Sequence, residues 1–245
     1  MALQTEMQSQ GNWLFKNRSY LPLIFLFAGL GVYLYGEHNE IEGVESYLAE
    51  SFEFICLGIC LIGFLIRVHT VGHTPPNTSG RNTKAGQVAD ELNTTGLYSL
   101  VRHPLYVGNF FMWLGIAMLT ENLWFTIAFI LLYTVYYERI MYAEEQYLIA
   151  KFGSNYSDWS KTTPAFIPHF RQYTKAKYAY NSIKVIKKEK NGLVAIFALF
   201  WLFEWAGDAL ENGITYFEMS GWFYMAIITT ILYFVLKVIK KLKII

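Results

Sequence analysis

Six apolar runs separated by polar segments dominate the hydrophobic pattern of this chain. They cover residues 19–35, 52–68, 106–119, 123–137, 193–206 and 214–238. A helix needs about twenty apolar residues to cross a hydrocarbon layer of about 30 Å. The third and fourth runs are shorter, and at 1.5 Å per residue they cover only about 21–23 Å. The pattern predicts an all-α integral membrane protein with about six transmembrane helices. The third and fourth form a short hairpin, either re-entrant or extended to full spans by flanking aromatic residues.

The composition agrees with a membrane protein, because 54% of the residues are hydrophobic, 18% are aromatic and only 16% are charged. A soluble domain is usually less apolar and more charged. The first seventeen residues are polar and contain no apolar core of a signal peptide, so no cleaved signal is expected. The pattern divides the chain into an N-terminal segment (1–18), a membrane core (19–170), a basic linker (171–191) and a C-terminal two-helix hairpin with a basic tail (192–245).

The distribution of charge predicts the orientation. If all six runs cross and the N-terminus lies inside, all 20 Lys and Arg residues fall on one side of the membrane. The opposite loops carry only acidic residues, among them an acidic stretch at residues 37–50 and the pair Asp208 and Glu211. An excess of Lys and Arg identifies the cytoplasmic side. We therefore expect a multi-pass protein with both termini in the cytoplasm, in the inner or plasma membrane if the source is bacterial.

A polar cluster stands at the start of the third run. Pro104 favours a helix beginning there, with Arg102 and His103 directly before it. In the simpler interpretation Arg102 reaches to the interface and His103 caps the helix; in the functional one the helix start and Arg102 hold a carboxylate. Tyr98 and Tyr106 are either interfacial aromatic residues or two walls of a ligand pocket.

A second polar cluster, Glu144 and Glu145, follows the fourth run on the same side of the membrane. A solvated helix end is the simpler interpretation. Adjacent helical residues point about 100° apart, so at most one of the two faces a given ligand. That carboxylate is a candidate for binding an amine or hydroxyl groups, or for handling a proton.

Other catalytic and binding signatures do not occur in the sequence. It has no glycine-rich dinucleotide fingerprint, no Walker loop, no His-Glu-x-x-His and no zinc-type Cys/His spacing, so we expect no metal and no nucleic-acid partner.

The two clusters together resemble the isoprenylcysteine carboxyl methyltransferase family and its phospholipid methyltransferase relatives. The resemblance covers about residues 52–170. It is carried by Gly96-x-Tyr98, Arg102-His103-Pro104-x-Tyr106-x-Gly108, Glu144-Glu145-x-x-Leu148 and Phe152-Gly153-x-x-Tyr156, and it closes with Pro164 and Pro168. Trp159 departs from the pattern, since the family often has a second tyrosine there. The last two apolar runs, absent from a minimal family member, are a second departure.

The resemblance implies a membrane methyltransferase that takes S-adenosylmethionine from the cytosol and meets the polar head of its acceptor at the membrane surface. It implies cofactor-binding residues and catalytic residues, the latter steadying an anionic group or handling a proton. The cofactor-binding residues are Tyr98, His103, Pro104, Tyr106, Gly108, Glu144 and Glu145, and the catalytic residues are Arg102, Arg139 and Glu144. The implied mechanism needs no covalent enzyme intermediate, which agrees with the lack of a nucleophile–base motif.

Three acceptors stay open: a prenylcysteine carboxylate, a phospholipid amine and a lipid phosphate such as that of lipid A. The richness in Asn, Lys, Ile and Tyr hints at a bacterial source, which counts weakly against a prenylated protein. The alternative function is a non-catalytic membrane sensor or assembly protein that retains the fold. A transporter is disfavoured, because the runs show no matched internal charges or breaks in two halves. The sequence does not indicate the oligomeric state.

Overall fold

The computed structural model describes residues 2–39, 46–75 and 87–242. Within these ranges the regular structure is helical apart from one isolated bridge between Gly96 and Thr174, which confirms the all-α prediction. The α-helices are α1 (Leu3–Asn17), α2 (Leu21–His38), α3 (Ser46–Gly72), α4 (Pro104–Met118), α5 (Leu123–Phe152), α6 (Ser154–Thr162), α7 (Ser182–Asn212) and α8 (Gly221–Lys241). Part of the predicted acidic stretch (40–45) and the end of the basic tail (243–245) lie outside the described residues.

Four of these helices, α3, α5, α7 and α8, are long and apolar enough to cross a membrane. A fifth span is present if α1 and α2, which meet at an angle of 73°, count as one broken span. Helix α4 is apolar but has only 15 residues. The chain is therefore a multi-pass integral membrane protein with four or five candidate spans in its described part, where the sequence predicts about six.

Two helices continue well beyond the apolar runs that predict them. Helix α5 has 30 residues, about 45 Å of helix, so it crosses the hydrocarbon layer and projects from it, carrying Glu144 and Glu145. Helix α7 begins at Ser182, where the Asn181 side chain accepts a hydrogen bond from the Lys184 amide at 2.8 Å. Much of the segment assigned to a basic linker is thus the start of α7, because Lys and Glu are good helix formers.

Helix α4 lies between two packed groups of side chains. One group joins α4 to α2, α3 and α7, and its buried members include Cys60, Ile116 and Phe200. The other joins α4 to α1 and α5 around Phe129 and Tyr133. Since α4 is packed on both sides, its N-terminal end has a defined position relative to α3, α5 and α7.

The N-terminal helix α1 packs directly on α5. A side chain at Gly11 would overlap the carbonyl oxygen of Arg139, and its Cβ would lie 2.7 Å from that of Ala143. The two helices therefore approach so closely that only glycine fits at this position. The predicted N-terminal segment (1–18) thus forms a helix that packs on the part of α5 next to Glu144.

Candidate active site

The Arg102-His103-Pro104 element is held between α4, α5 and the segment that follows α6. Pro104 is fully buried at the first turn of α4. The amide of Arg102 donates to the carbonyl of Pro164 at 2.8 Å, and the amide of His103 donates to that of Ala165 at 3.3 Å. These two amides are used in holding the loop, so they are not available to bind a carboxylate.

Arg102 forms the centre of this brace. Its guanidinium binds Glu145 through two hydrogen bonds of 2.8 and 3.1 Å, and it donates to the carbonyls of Ser160 and Thr163 at 2.9 and 2.6 Å. These contacts use four of the five N–H groups of an arginine. Arg102 thus ties α5 to the end of α6, and its charge is balanced by Glu145.

The two adjacent glutamates of α5 have different environments. Glu145 also contacts His103, with 2.9 Å between its Oε1 and the ring Nε2. Glu144 accepts a hydrogen bond of 2.8 Å from the hydroxyl of Tyr106, whose ring stacks on that of His103. Glu144 lines a cavity, whereas Glu145 does not belong to its lining. The structure therefore separates an inward-facing Glu144 from a bracing Glu145.

The cavity beside Glu144 has a volume of about 600 Å³. Ligand pockets for small molecules and cofactors typically measure about 300–1,000 Å³. The sequence-predicted residues that line it are Tyr98, Arg102, His103, Tyr106 and Glu144. Burial, together with the charge of Glu144, raises the pKa of Tyr98. Its hydroxyl therefore remains protonated at neutral pH.

Besides Glu145, three other sequence-predicted residues do not line the cavity: Pro104, Gly108 and Arg139. Pro104 shapes the start of α4 from within the core. Gly108 is buried against α3, where a Cβ would lie 2.5 Å from the Cγ of Arg67; the missing side chain leaves room for this arginine to cross α4. Arg139 lies on the α5 segment that packs on α1.

A second buried ion pair, absent from the sequence predictions, lies at the cavity wall. Arg67 of α3 binds Glu189 of α7 through two hydrogen bonds of 2.8 Å each and donates to the side-chain oxygen of Asn109 at 2.5 Å. Asn109 in turn donates to the hydroxyl of Tyr137 at 3.3 Å. The network connects α7 with α3, α4 and α5. Glu189 is the only acid within the basic run at 184–190. This isolated carboxylate is the feature of the sequence that could have indicated the ion pair.

Two further polar groups in the cavity wall have no hydrogen-bond partner among the described residues. They are the hydroxyl of Tyr156, which is only 1% exposed, and the indole N–H of Trp159. Burial, and secondarily the nearby Glu145 carboxylate, raises the pKa of Tyr156. Buried donors are normally satisfied. Two such donors in one wall therefore indicate where a ligand would supply acceptors.

The contact between Tyr106 and Glu144 leads to a modest prediction. For the S-adenosylmethionine binding that the family resemblance implies, replacing Tyr106 by phenylalanine should weaken the affinity about three- to tenfold, because one hydrogen bond contributes about 0.5–1.5 kcal/mol net. Calorimetric titration in lipid nanodiscs measures the change. Tyr136→Phe is the matched control, since the Tyr136 hydroxyl is buried without a partner and lies outside the cavity lining. Equal affinities of the two variants would show that the Tyr106 hydroxyl does not contribute to binding.

These features define a membrane protein with a cavity of ligand size beside α4 and α5, and comparison with known proteins shows which families it resembles. Residues 53–155 match the family model described as phospholipid methyltransferase. The matched segment is less than half of the chain, and its similarity to phospholipid methyltransferases and to isoprenylcysteine methyltransferases confirms the resemblance drawn from the motifs. The matched segment excludes α1, α2, α7 and α8.

Among curated proteins, similar segments occur in two kinds of relatives. A protein-S-isoprenylcysteine O-methyltransferase of Schizosaccharomyces pombe is 42% identical over 78 residues, which cover 31% of this chain and 33% of that protein. The corresponding protein of Tribolium castaneum is 29% identical over 124 residues (49% and 42%). The cobalt-zinc-cadmium resistance protein CzcN of Cupriavidus metallidurans is 35% identical over 89 residues (36% and 41%).

The chain thus spans about two fifths or less of the length of these relatives. No solved structure matches this chain. In the ranges that the structure describes, no group of three or more His, Cys, Asp or Glu side chains is placed to hold a metal ion.

Proposed function

We propose that this protein is an S-adenosylmethionine-dependent methyltransferase that modifies the polar head of a lipid or lipidated molecule at the cytoplasmic surface of the membrane. One observation carries most of this proposal. Residues of three family motifs, Tyr98, the His103–Tyr106 pair and Glu144, meet in one cavity of cofactor size. The comparisons support the family, and the activity of this chain is inferred from the site.

The residues present fit the cofactor chemically. The carboxylate of Glu144 suits an amine or ribose hydroxyl groups, and the stacked rings of His103 and Tyr106 offer a flat surface. The unpartnered donors of Tyr156 and Trp159 suit a carboxylate or a ring nitrogen. We therefore assign cofactor binding to this wall, with Pro104, Gly108 and Glu145 shaping it from behind. Arg139 is left out of the proposal because it does not line the cavity.

The protein mainly contributes position and charge. When bound, S-adenosylmethionine provides a methyl group that is already activated on a sulfonium. The chain must hold the acceptor in line and keep water out. A carboxylate or phosphate acceptor needs little help from a base. An amine acceptor must lose a proton, and Glu144, one of the carboxylates that line the cavity, is a candidate to receive it.

We further propose that all six apolar runs cross the membrane with both termini in the cytoplasm. Under this topology the Arg102-His103 element and Glu144 lie on the cytoplasmic side, where a soluble cofactor and a membrane lipid can both reach the cavity. The complete bias of Lys and Arg toward one side supports this orientation. The acceptor is a carboxylate, a phosphate or an amine, and the names of several relatives favour the carboxylate of an isoprenylcysteine.

The experiment that tests the proposal is calorimetric titration of purified protein in lipid nanodiscs with S-adenosylmethionine and S-adenosylhomocysteine. Labelled-methyl transfer into a total lipid extract and into a prenylcysteine follows. We expect both cofactor forms to bind and Glu144→Gln to weaken binding about tenfold, because a charged hydrogen bond is lost. Glu138→Gln is the matched control, since Glu138 lies on α5 but is exposed.

The outcomes separate the alternatives. Binding followed by methyl transfer supports the enzyme and identifies the acceptor class. Binding without transfer into any acceptor would instead support the non-catalytic sensor or assembly role. Absence of binding to both ligands would overturn the methyltransferase proposal.

A further inference from the structure

Helix α7, which lies outside the family-matched segment, forms one wall of the cavity. The residues of α7 that line the cavity are Lys188, Glu189, Asn191, Gly192, Ala195, Ile196 and Leu199. Their spacing of three and four residues places them on a single helical face. The first helix of the C-terminal hairpin is therefore part of the site and not a separate appendage.

Helix α4 presents a matching face to the same cavity. Its lining residues are Leu105, Tyr106, Asn109, Met112, Trp113 and Ile116, which again follow the spacing of one helical face. Both faces change from polar to apolar in the same direction along the chain. On α4 the change falls after Asn109, and on α7 it falls after Asn191.

The two faces run parallel, because successive pairs of residues meet along them. Arg67 connects Asn109 to Glu189 at the polar end. Next, a Cβ on Gly192 would lie 3.3 Å from the Cε of Met112. At the far end, Ile116 and Ile196 belong to the same buried cluster. The result is a slot between α4 and α7 with a polar mouth and an apolar end.

The slot extends away from the proposed cofactor wall. Met112 follows Tyr106 by six residues, about 9 Å along α4. A soluble cofactor that carries several charges would not be stabilised in an apolar space at this depth, because burying its charged groups there is costly. An alkyl chain fits it, because burying apolar surface is favourable and the polar head would then remain near Arg67, whose charge is balanced by Glu189.

We propose that the slot between α4 and α7 takes the alkyl chain of the lipid acceptor, and that Gly192 determines the specificity for that chain by keeping the slot open beside Met112. This inference rests on the proposed methyltransferase function and names the acceptor as a molecule with a long alkyl chain. A flexible methionine opposite a glycine allows the width of the slot to adapt.

The test uses a phosphatidylethanolamine with a diazirine near the end of one acyl chain, incorporated into phosphatidylcholine nanodiscs. After illumination, mass spectrometry locates the cross-links. We expect labelling of Met112 and Trp113 in the unmodified protein, reduced about tenfold or more in Gly192→Leu because the added side chain fills the slot. Labelling of Ile231, which is exposed on α8, should not change and serves as the reference.

Gly58→Leu is the matched control, because a Cβ at Gly58 meets no atom within 4 Å. This variant should retain the labelling of Met112. Equal labelling of Met112 in Gly192→Leu and Gly58→Leu, or no labelling of Met112 in the unmodified protein, would overturn the proposal.

The cross-linking needs neither cofactor nor turnover, so its failure is distinguishable from failure of the enzyme proposal. Methyl transfer into lipid without cross-links in the slot would overturn only the proposed role of the slot. Cross-links that decrease in Gly192→Leu, in a protein that binds no cofactor, would overturn only the proposed methyltransferase function.

Discussion

Replacing Glu145 by glutamine should weaken S-adenosylmethionine binding about 10- to 100-fold, although Glu145 does not line the cavity. The carboxylate receives two hydrogen bonds from Arg102 and contacts His103. An amide keeps the shape but places an N–H₂ group against one donor of the guanidinium. Losing a charged hydrogen bond costs about 1.5–3 kcal/mol. Because the cofactor wall needs Arg102 and His103 in this position, we expect the bound state to bear most of that cost, and each 1.4 kcal/mol corresponds to about a tenfold change in affinity.

The measurement is calorimetric titration with S-adenosylmethionine, together with thermal unfolding to verify that the variant is folded. If Glu145 acts by orienting Arg102, the effects of Glu145→Gln and Arg102→Lys should not add in the double variant, since residues in one network couple. Lysine keeps the charge but cannot make the forked contact. Additive effects, or an unchanged affinity in Glu145→Gln, would show that the brace does not support the cofactor wall.

Replacing Glu189 by glutamine should lower the free energy of unfolding by about 3–5 kcal/mol, because it leaves the buried Arg67 charge without its partner. The side chains of Glu189 and Arg67 are only 4% and 17% exposed. The change should also loosen α7 from α3. Unfolding by titration with sodium dodecyl sulfate measures the effect. The matched control is Glu211→Gln, at an exposed position on the same helix.

A double variant separates the structural role of this pair from its role in the site. Arg67→Met with Glu189→Leu removes both charges, and such replacements often restore stability. We expect most of the stability to return while methyl transfer stays low, because the polar mouth of the slot is lost. If Glu189→Gln unfolds like the Glu211→Gln control, the ion pair does not hold α7 in place.

Much of the candidate site follows from local sequence. The motif at residues 102–106 and the acidic pair on α5 indicated a common site on one side of the membrane, and the structure brings them into contact through Arg102–Glu145 and Tyr106–Glu144. Which glutamate faces the cavity stayed open, because the sequence places both on one helix turn. The rotation of α5 against α4 decides in favour of Glu144.

The wall formed by α7 shows where local sequence is insufficient. Gly192 resembles an ordinary helix glycine, and Glu189 lies within a run of lysines that reads locally as a solvated linker. Their roles depend on Arg67 and Met112, which lie 122 and 80 positions earlier in the chain. Contacts of this range have no local signal in a single sequence.

The sequence by itself determined the helical class, the membrane location and the family motifs, because hydrophobic periodicity and short motifs are local properties of the chain. Only the tertiary structure decided which charges neutralise one another, which glutamate faces the cavity and that the C-terminal hairpin forms part of its wall. These outcomes depend on how helices distant in sequence pack, and close packing selects among arrangements that the local pattern leaves equivalent.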